Sequence, residues 1–534
     1  MLHVLNRVDA APRLLEVVSQ MHWTGRSREH SLWCPTVEPT RSADLEDGVQ
    51  LVSLGGKRSS QQIGKAVFAD AVSSIDEGLA RRILAVGDWR KKYLGPVRDV
   101  VVAGALSAKN ALTIASEGLT SMRSHLSFVR AGEEVPLSRA TELPPRVELH
   151  TGEIVGQESR EAELTIPFRG TRLSGDRLKT QLSEWVTSGT LEPTAEAAIV
   201  ELLTQPDWLD LSDQSFVLMG AASQMGPLEQ LLSWGANVAA VDLPVPAIWD
   251  RIADLARKGS GRLTFPTRAS DGSTPEAQQA QAGVDLLIEL PEVASWLRSV
   301  ESPFVIGNYV YADGAAFLRI AGAVDALVDE SLRRGQVSAT AYLATPTDAF
   351  AVPNALADQV RSRMGPKGKA LKFASGGKLY QSNYRETIAG EEGAWAISDC
   401  LVPIQGPNYA LAKSVQRWRA IMTREDGTIS SANVAPATNT TSVTKNRMLA
   451  AAYSQAHRFG IEIFEPETSR ALMAALLVHD LRSGTSSAKP DAPVGHPFDL
   501  FVDKAVHGGI WRSTYEPRSV LPMALLRGML SKQA

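Results

Sequence analysis

Cysteine is nearly absent from this 534-residue chain. Only Cys34 and Cys400 occur, too far apart to suggest a disulfide framework or a metal-ligand cluster, and their scarcity fits a reducing compartment. Long apolar runs are missing as well. A bilayer span needs roughly 18 or more consecutive apolar residues, and the longest candidate, ALMAALLV at 471–478, falls far short. The opening stretch MLHVLNRVDAAPRLLEVV breaks its apolar residues with charges and so lacks the apolar region of a signal peptide. Nor is there a basic excess: 55 Lys and Arg against 59 Asp and Glu give a formal charge of −4, which does not recommend nucleic acid as a partner. These absences lead to the expectation of a soluble cytoplasmic protein without membrane insertion, acting on a small molecule and open to homo-oligomer formation.

What is present is enough apolar residue, 44%, to build more than one core at this length, so two or three domains are expected. The pattern divides into 1–210, 211–480 and a C-terminal extension, 481–534. In the first part, helical periodicity covers 62–94 and 108–129. Between them the β-branched run RDVVVAGAL, 98–106, predicts a buried strand. This part reads as an additional N-terminal domain of α/β or α+β type, its role unassigned. From about 212 short apolar runs alternate with helical segments: SFVLMG, PLEQLLSWG, ANVAAVDLP, GRLTFP, GVDLLIEL, then a helix over AAFLRIAGAVDALVDESLRRG and a strand over VSATAYLA. Such alternation predicts a parallel sheet with helices on both faces.

The first of these units supplies a strand, a glycine turn with Gly220 and Gly226, a helix, and a second strand ending in Asp242. A glycine turn lets the backbone approach a pyrophosphate, which then lies at the positive end of the helix. The acid lies about 20 residues beyond the turn, where it can accept hydrogen bonds from adenosine ribose hydroxyls. Its charge would repel a 2′-phosphate, so NAD(H) is favoured over NADP(H).

Further along, GPNYALAKSVQRWRAIM carries Tyr409 and Lys413 at i and i+4, one turn apart on a helix face. A nearby ammonium stabilises a phenolate and makes the tyrosine a better acid or base near neutral pH. The segment ISSANVAPATNTTSV follows, a strand running into a Thr- and Asn-rich loop. In the order and approximate spacing of these three features, 211–480 resembles the short-chain dehydrogenase/reductase family. The resemblance implies a Rossmann-like doubly wound sheet and NAD(P)-dependent interconversion of an alcohol and a carbonyl. It implies Tyr409 as the proton donor or acceptor, with Lys413 lowering its pKa and binding the nicotinamide ribose. Gly220, Ser223, Gln224, Met225 and Gly226 would line the pyrophosphate turn, Asp242 and Leu243 would meet the adenosine ribose, and Pro436, Thr438 and Thr440 would lie at the nicotinamide amide.

The departures are specific. Gln224 stands where the family's middle glycine is usual, Ala437 follows Pro436 in place of glycine, and the family's N-N-A-G has no counterpart at IELPEV. The assisting hydroxyl has two candidates. Thr345 stands at the end of the fifth predicted strand, and Ser398 has the family's linear spacing to Tyr409 but falls in an insertion at about 350–403, expected to be a lid over the substrate. Gln224 and the missing N-N-A-G also admit a dinucleotide-binding relative without redox turnover, acting as a sensor or scaffold, and the fold admits an epimerase or lyase. No metal site is expected, because His496 and His507 lack a third ligand.

Overall fold

The computed structural model describes residues 46–531. Cys34 and the stretch read for a signal segment lie outside them. Seven strands form the central sheet: β1 His150–Val155, β2 Ser215–Met219, β3 Asn237–Val241, β4 Arg262–Thr267, β5 Phe304–Asn308, β6 Val337–Ala344 and β7 Ile429–Val434. Their spatial order is β7-β6-β5-β2-β3-β4-β1. All neighbours run parallel except β1, which pairs antiparallel with β4 at the edge. The chain therefore winds outward from β2 in one direction and returns through β5 to build the other half.

The strands are apolar on both faces because both faces are covered. Side chains alternate along a strand, so Val217, Met219, Ala239 and Val241 enter one core while Phe216, Leu218, Val238 and Ala240 enter the other. Six of the helices position the site: α1 Ser60–Ser73, α2 Leu94–Ala105, α3 Ala108–Ser124, α4 Gly314–Arg333, α5 Pro407–Glu425 and α6 Pro466–Arg482. On the first face α5 lies against β6 and β7 and packs on α4, with α1 and α3 forming a further layer over α5. On the second, α6 packs against β7. The buried Arg419 guanidinium meets the Asp325 carboxylate at 2.7 and 3.0 Å and so joins α5 to α4.

Two expected strands are not strands. RDVVVAGAL belongs to α2: Val97, Val100, Val101 and Gly104 are all buried, the i, i+3, i+4, i+7 spacing of a helix face that the β-branched valines obscure. GVDLLIEL forms turns, because the Asp285 carboxylate accepts the Leu287 N–H at 2.8 Å and competes for the backbone hydrogen bonds a strand would need. The strand that follows β4 in the parallel set is instead β5.

The insertion folds as a three-stranded antiparallel sheet of Ala349–Pro353, Gly393–Asp399 and Ile388–Gly390, which packs on α2. The described residues form one compact unit. Among the described residues no helix is long and apolar enough to cross a membrane.

Candidate functional site

Winding reverses between β2 and β5, and at such a reversal the two sets of connections part above the strand ends and leave a crevice. Gly220 follows β2 there with φ +76°, a conformation that favours glycine. A Cβ on it would lie 2.9 Å from the Val310 nitrogen and 3.0 Å from the Tyr309 carbonyl carbon, so the close approach of β2 and β5 also requires glycine. The turn tightens twice more, the Ser223 N–H donating to Gly220 O and the Gly226 N–H to Ser223 O, each at 3.0 Å. Met225 is half-buried and packs into the core of the second face.

Asp242 holds this turn in place. Its Oδ2 accepts the Ala222 N–H and its Oδ1 the Leu243 N–H, both at 2.8 Å. Burial raises its carboxyl pKa, opposed by these two amides and by the Arg251 guanidinium, which itself donates to Ala222 O. Gln224 accepts the Thr441 N–H on Oε1 at 2.9 Å and so ties the turn to the loop after β7. In that loop the Thr438 hydroxyl lies 2.6 Å from Ser469 Oγ and donates to Pro436 O, while the Thr440 hydroxyl lies 3.0 Å from that of Ser442. The residues expected at the pyrophosphate, the ribose and the nicotinamide amide thus occupy three loops, after β2, β3 and β7, linked by the Asp242 and Gln224 side chains.

At the C-terminal end of β6 Thr345 lines a cavity with Lys413, and Tyr409 stands one turn before Lys413 on α5. Pro407 opens α5 in its first turn, where the missing N–H costs nothing. One turn apart, Tyr409 packs against Phe317 with ring centres 5.5 Å apart, and Lys413 Nζ donates to Leu343 O at 3.2 Å and to Gln416 Oε1 at 2.9 Å. Burial pushes the Tyr409 phenol up to about 12. A hydrogen bond with Thr345 pulls the other way, and Asp348 and Tyr453 add to the rise. This direction is opposite to the lowering expected from Lys413. Burial drives Lys413 down to about 8, with the Asp348 carboxylate resisting and Arg417 reinforcing the fall.

Of the two candidate hydroxyls, Thr345 is the one that bears on Tyr409, and its Oγ1 lies 3.0 Å from Thr347 Oγ1. Ser398 sits fully buried in the small antiparallel sheet, its Oγ 3.3 Å from Cys400 Sγ, within another cluster. Of the insertion's lysines, Lys369 and Lys378 are exposed to solvent. Among the described residues no group of His, Cys, Asp and Glu is placed to hold a metal ion.

Three residues of the site escape a reading for Tyr and Lys alone. Gln416 and Arg417 follow Lys413 at i+3 and i+4, a signal already present in the helix periodicity. Asp348, three residues beyond Thr345, becomes visible only once the chain is seen to turn back into the small sheet. Together they line a cavity with Thr345 and Lys413. No protein-family model matches the chain, and no curated protein matches it either.

Proposed function

We propose that the chain binds NAD(H) at the Gly220 turn and interconverts an alcohol and a carbonyl on a small molecule, as a divergent short-chain dehydrogenase/reductase. What carries this reading is that Thr345 and Lys413 line one cavity at the carboxyl end of β6, with Tyr409 one turn before Lys413 on α5, on the same edge of the parallel sheet as the Gly220 turn. The strand order, two halves diverging from β2, matches the doubly wound dinucleotide-binding arrangement and supports a Rossmann-like assignment.

The residues present fit such a cofactor. At Gly220 a Cβ would fill the space against Val310, which leaves backbone alone at the turn. Asp242 would accept from the adenosine ribose on the lone pairs its two amide partners leave, and its charge favours NAD(H) over NADP(H). Thr438, Thr440 and Pro436 would flank the nicotinamide end. The bound cofactor supplies or takes up the hydride.

Proton handling falls to the chain itself. In the reducing direction Tyr409 Oη donates its proton to the substrate oxygen, the Thr345 hydroxyl steadies the phenol by hydrogen bonding, and the Lys413 ammonium stabilises the phenolate that forms. A second reading, binding without turnover, is favoured by two observations: the high Tyr409 pKa and the tie between Gln224 and Thr441.

Tyr409→Phe separates the two. With a carbonyl panel and NADH, the proposed function predicts that the variant loses turnover by about a hundredfold or more while NADH binding stays at the wild-type level. Unchanged turnover overturns the role of Tyr409, and a wild-type protein that binds NADH but consumes none across the panel supports the second reading.

A further inference from the structure

The cavity behind Tyr409 contains two cations, Lys413 and Arg417, and one carboxylate, Asp348. Asp348 is 1% exposed. Its Oδ1 accepts its neighbour's N–H, from Ala349, at 2.8 Å. Its Oδ2 lies 3.2 Å from Arg417 Nη2, at ion-pair distance, yet without the alignment of a hydrogen bond to any described group. That oxygen's charge is thus not consumed by one directed bond and acts on both cations. Arg417 donates to Ala349 O at 2.8 Å and stacks over Phe350 with its guanidinium carbon 5.0 Å from the ring centre, which fixes it beside the carboxylate.

A guanidinium keeps its proton in a protein, whereas a buried lysine amine readily gives one up. Lys413 is therefore the member of the trio whose charge is in play. Its own hydrogen bonds go to neutral acceptors, Leu343 O and Gln416 Oε1, and supply no counter-charge. The groups facing it are Thr345 and Tyr342 from β6 and its end, Asp348 from the following loop, Gln416 and Arg417 from its own helix, and the apolar Phe501. Asp348 is the only carboxylate among them.

We infer that Asp348 is a positioning residue, the shared counter-ion through which Arg417 and Lys413 coexist in one buried cavity and by which Lys413 stays an ammonium ion beside the Tyr409–Thr345 pair. Burial raises the Asp348 carboxyl, opposed by Arg417, by the Ala349 amide and by Lys413 itself, so that Lys413 and the carboxylate hold each other charged while Arg417 competes with Lys413 for it. The inference rests on the proposed proton chemistry for its purpose, but not for its test.

The test follows the protonation of Lys413 in the full chain without substrate, by competitive acetylation with acetic anhydride across pH and peptide mass spectrometry. Asp348→Asn is expected to lower the Lys413 midpoint by at least about one pH unit, a tenfold change in the protonation equilibrium. Arg417→Met, which removes the competing cation, is expected to move it upward. A shift in opposite directions distinguishes a charge effect from loosened packing, which would move both variants the same way. An unchanged midpoint in a folded Asp348→Asn protein overturns the inference. Should that variant fail to fold, a static or falling midpoint in Arg417→Met does so. A normal midpoint shift in a protein that turns over nothing would leave this inference standing while the redox reading falls.

Discussion

Glu192 is a nearly buried carboxylate whose partners come from the far end of the chain. Its Oε1 lies 2.9 Å from His507 Nε2, and Arg512 donates to both oxygens at 2.9 and 2.6 Å. Burial raises its pKa, but hydrogen bonds and charge from His507 and Arg512 outweigh that and bring it down to about 2. A carboxylate held below its unfolded value stabilises the fold fully above that value and loses the contribution as pH falls toward the folded one. Between about pH 6 and pH 3 this group alone is expected to remove about 2 kcal/mol, measurable by urea unfolding. Glu192→Gln is expected to flatten that part of the pH dependence, and an equally steep loss in the variant would assign it to other carboxylates. At this scale the sequence makes Tyr409 and Lys413 visible through the helix period, and Thr345 through the end of a strand. It does not show that Asp242 spends its oxygens on the turn. Nor does it show the ionic partners of Glu192 and Asp348, because His507, Arg512 and Arg417 lie far away in the chain and only the tertiary fold brings them close.

Among the elements, the legible ones are those whose periodicity is unambiguous. The strand expected over 337–344 is β6, Val337–Ala344, and β2, β3 and β4 lie where apolar runs are bounded by turn formers. The two misreadings share a cause: a short apolar run has no period of its own. In 98–106 the deciding residue, Val97, lies outside the run, and in 283–290 one aspartate redirects the backbone. Gln224 is the complementary case. As a departure from a glycine pattern it reads as an obstacle, whereas in the fold its amide joins the turn after β2 to the loop after β7. The small sheet of 349–399 is not legible in the sequence because the pairing of its first strand is non-local, Phe350 opposite Ser398.

The last described stretch, which sequence patterning sets apart as an extension, is tied into β7 and the end of α6. The Val506 N–H donates to Val434 O at 3.0 Å, extending the hydrogen bonding of β7. Buried Lys504 reaches Asp480, Ser486 and Ser487 at 3.4, 3.2 and 2.8 Å, and Asp480 in turn accepts from Ser431 and Asn433 on β7, each at 2.7 Å. Removing one side of such a network leaves buried charge without a partner. A chain ending at residue 480 is therefore expected to lose its cooperative thermal transition by circular dichroism, and a sharp transition with a native spectrum would show the extension to be dispensable.

Whether the turn after β2 is a dinucleotide site is decided by titration calorimetry of the full chain with NADH and NADPH. One NADH per chain is expected, bound at least about tenfold more tightly than NADPH, a difference of ~1.4 kcal/mol. Absence of binding by either nucleotide to the wild-type protein would contradict the proposed site.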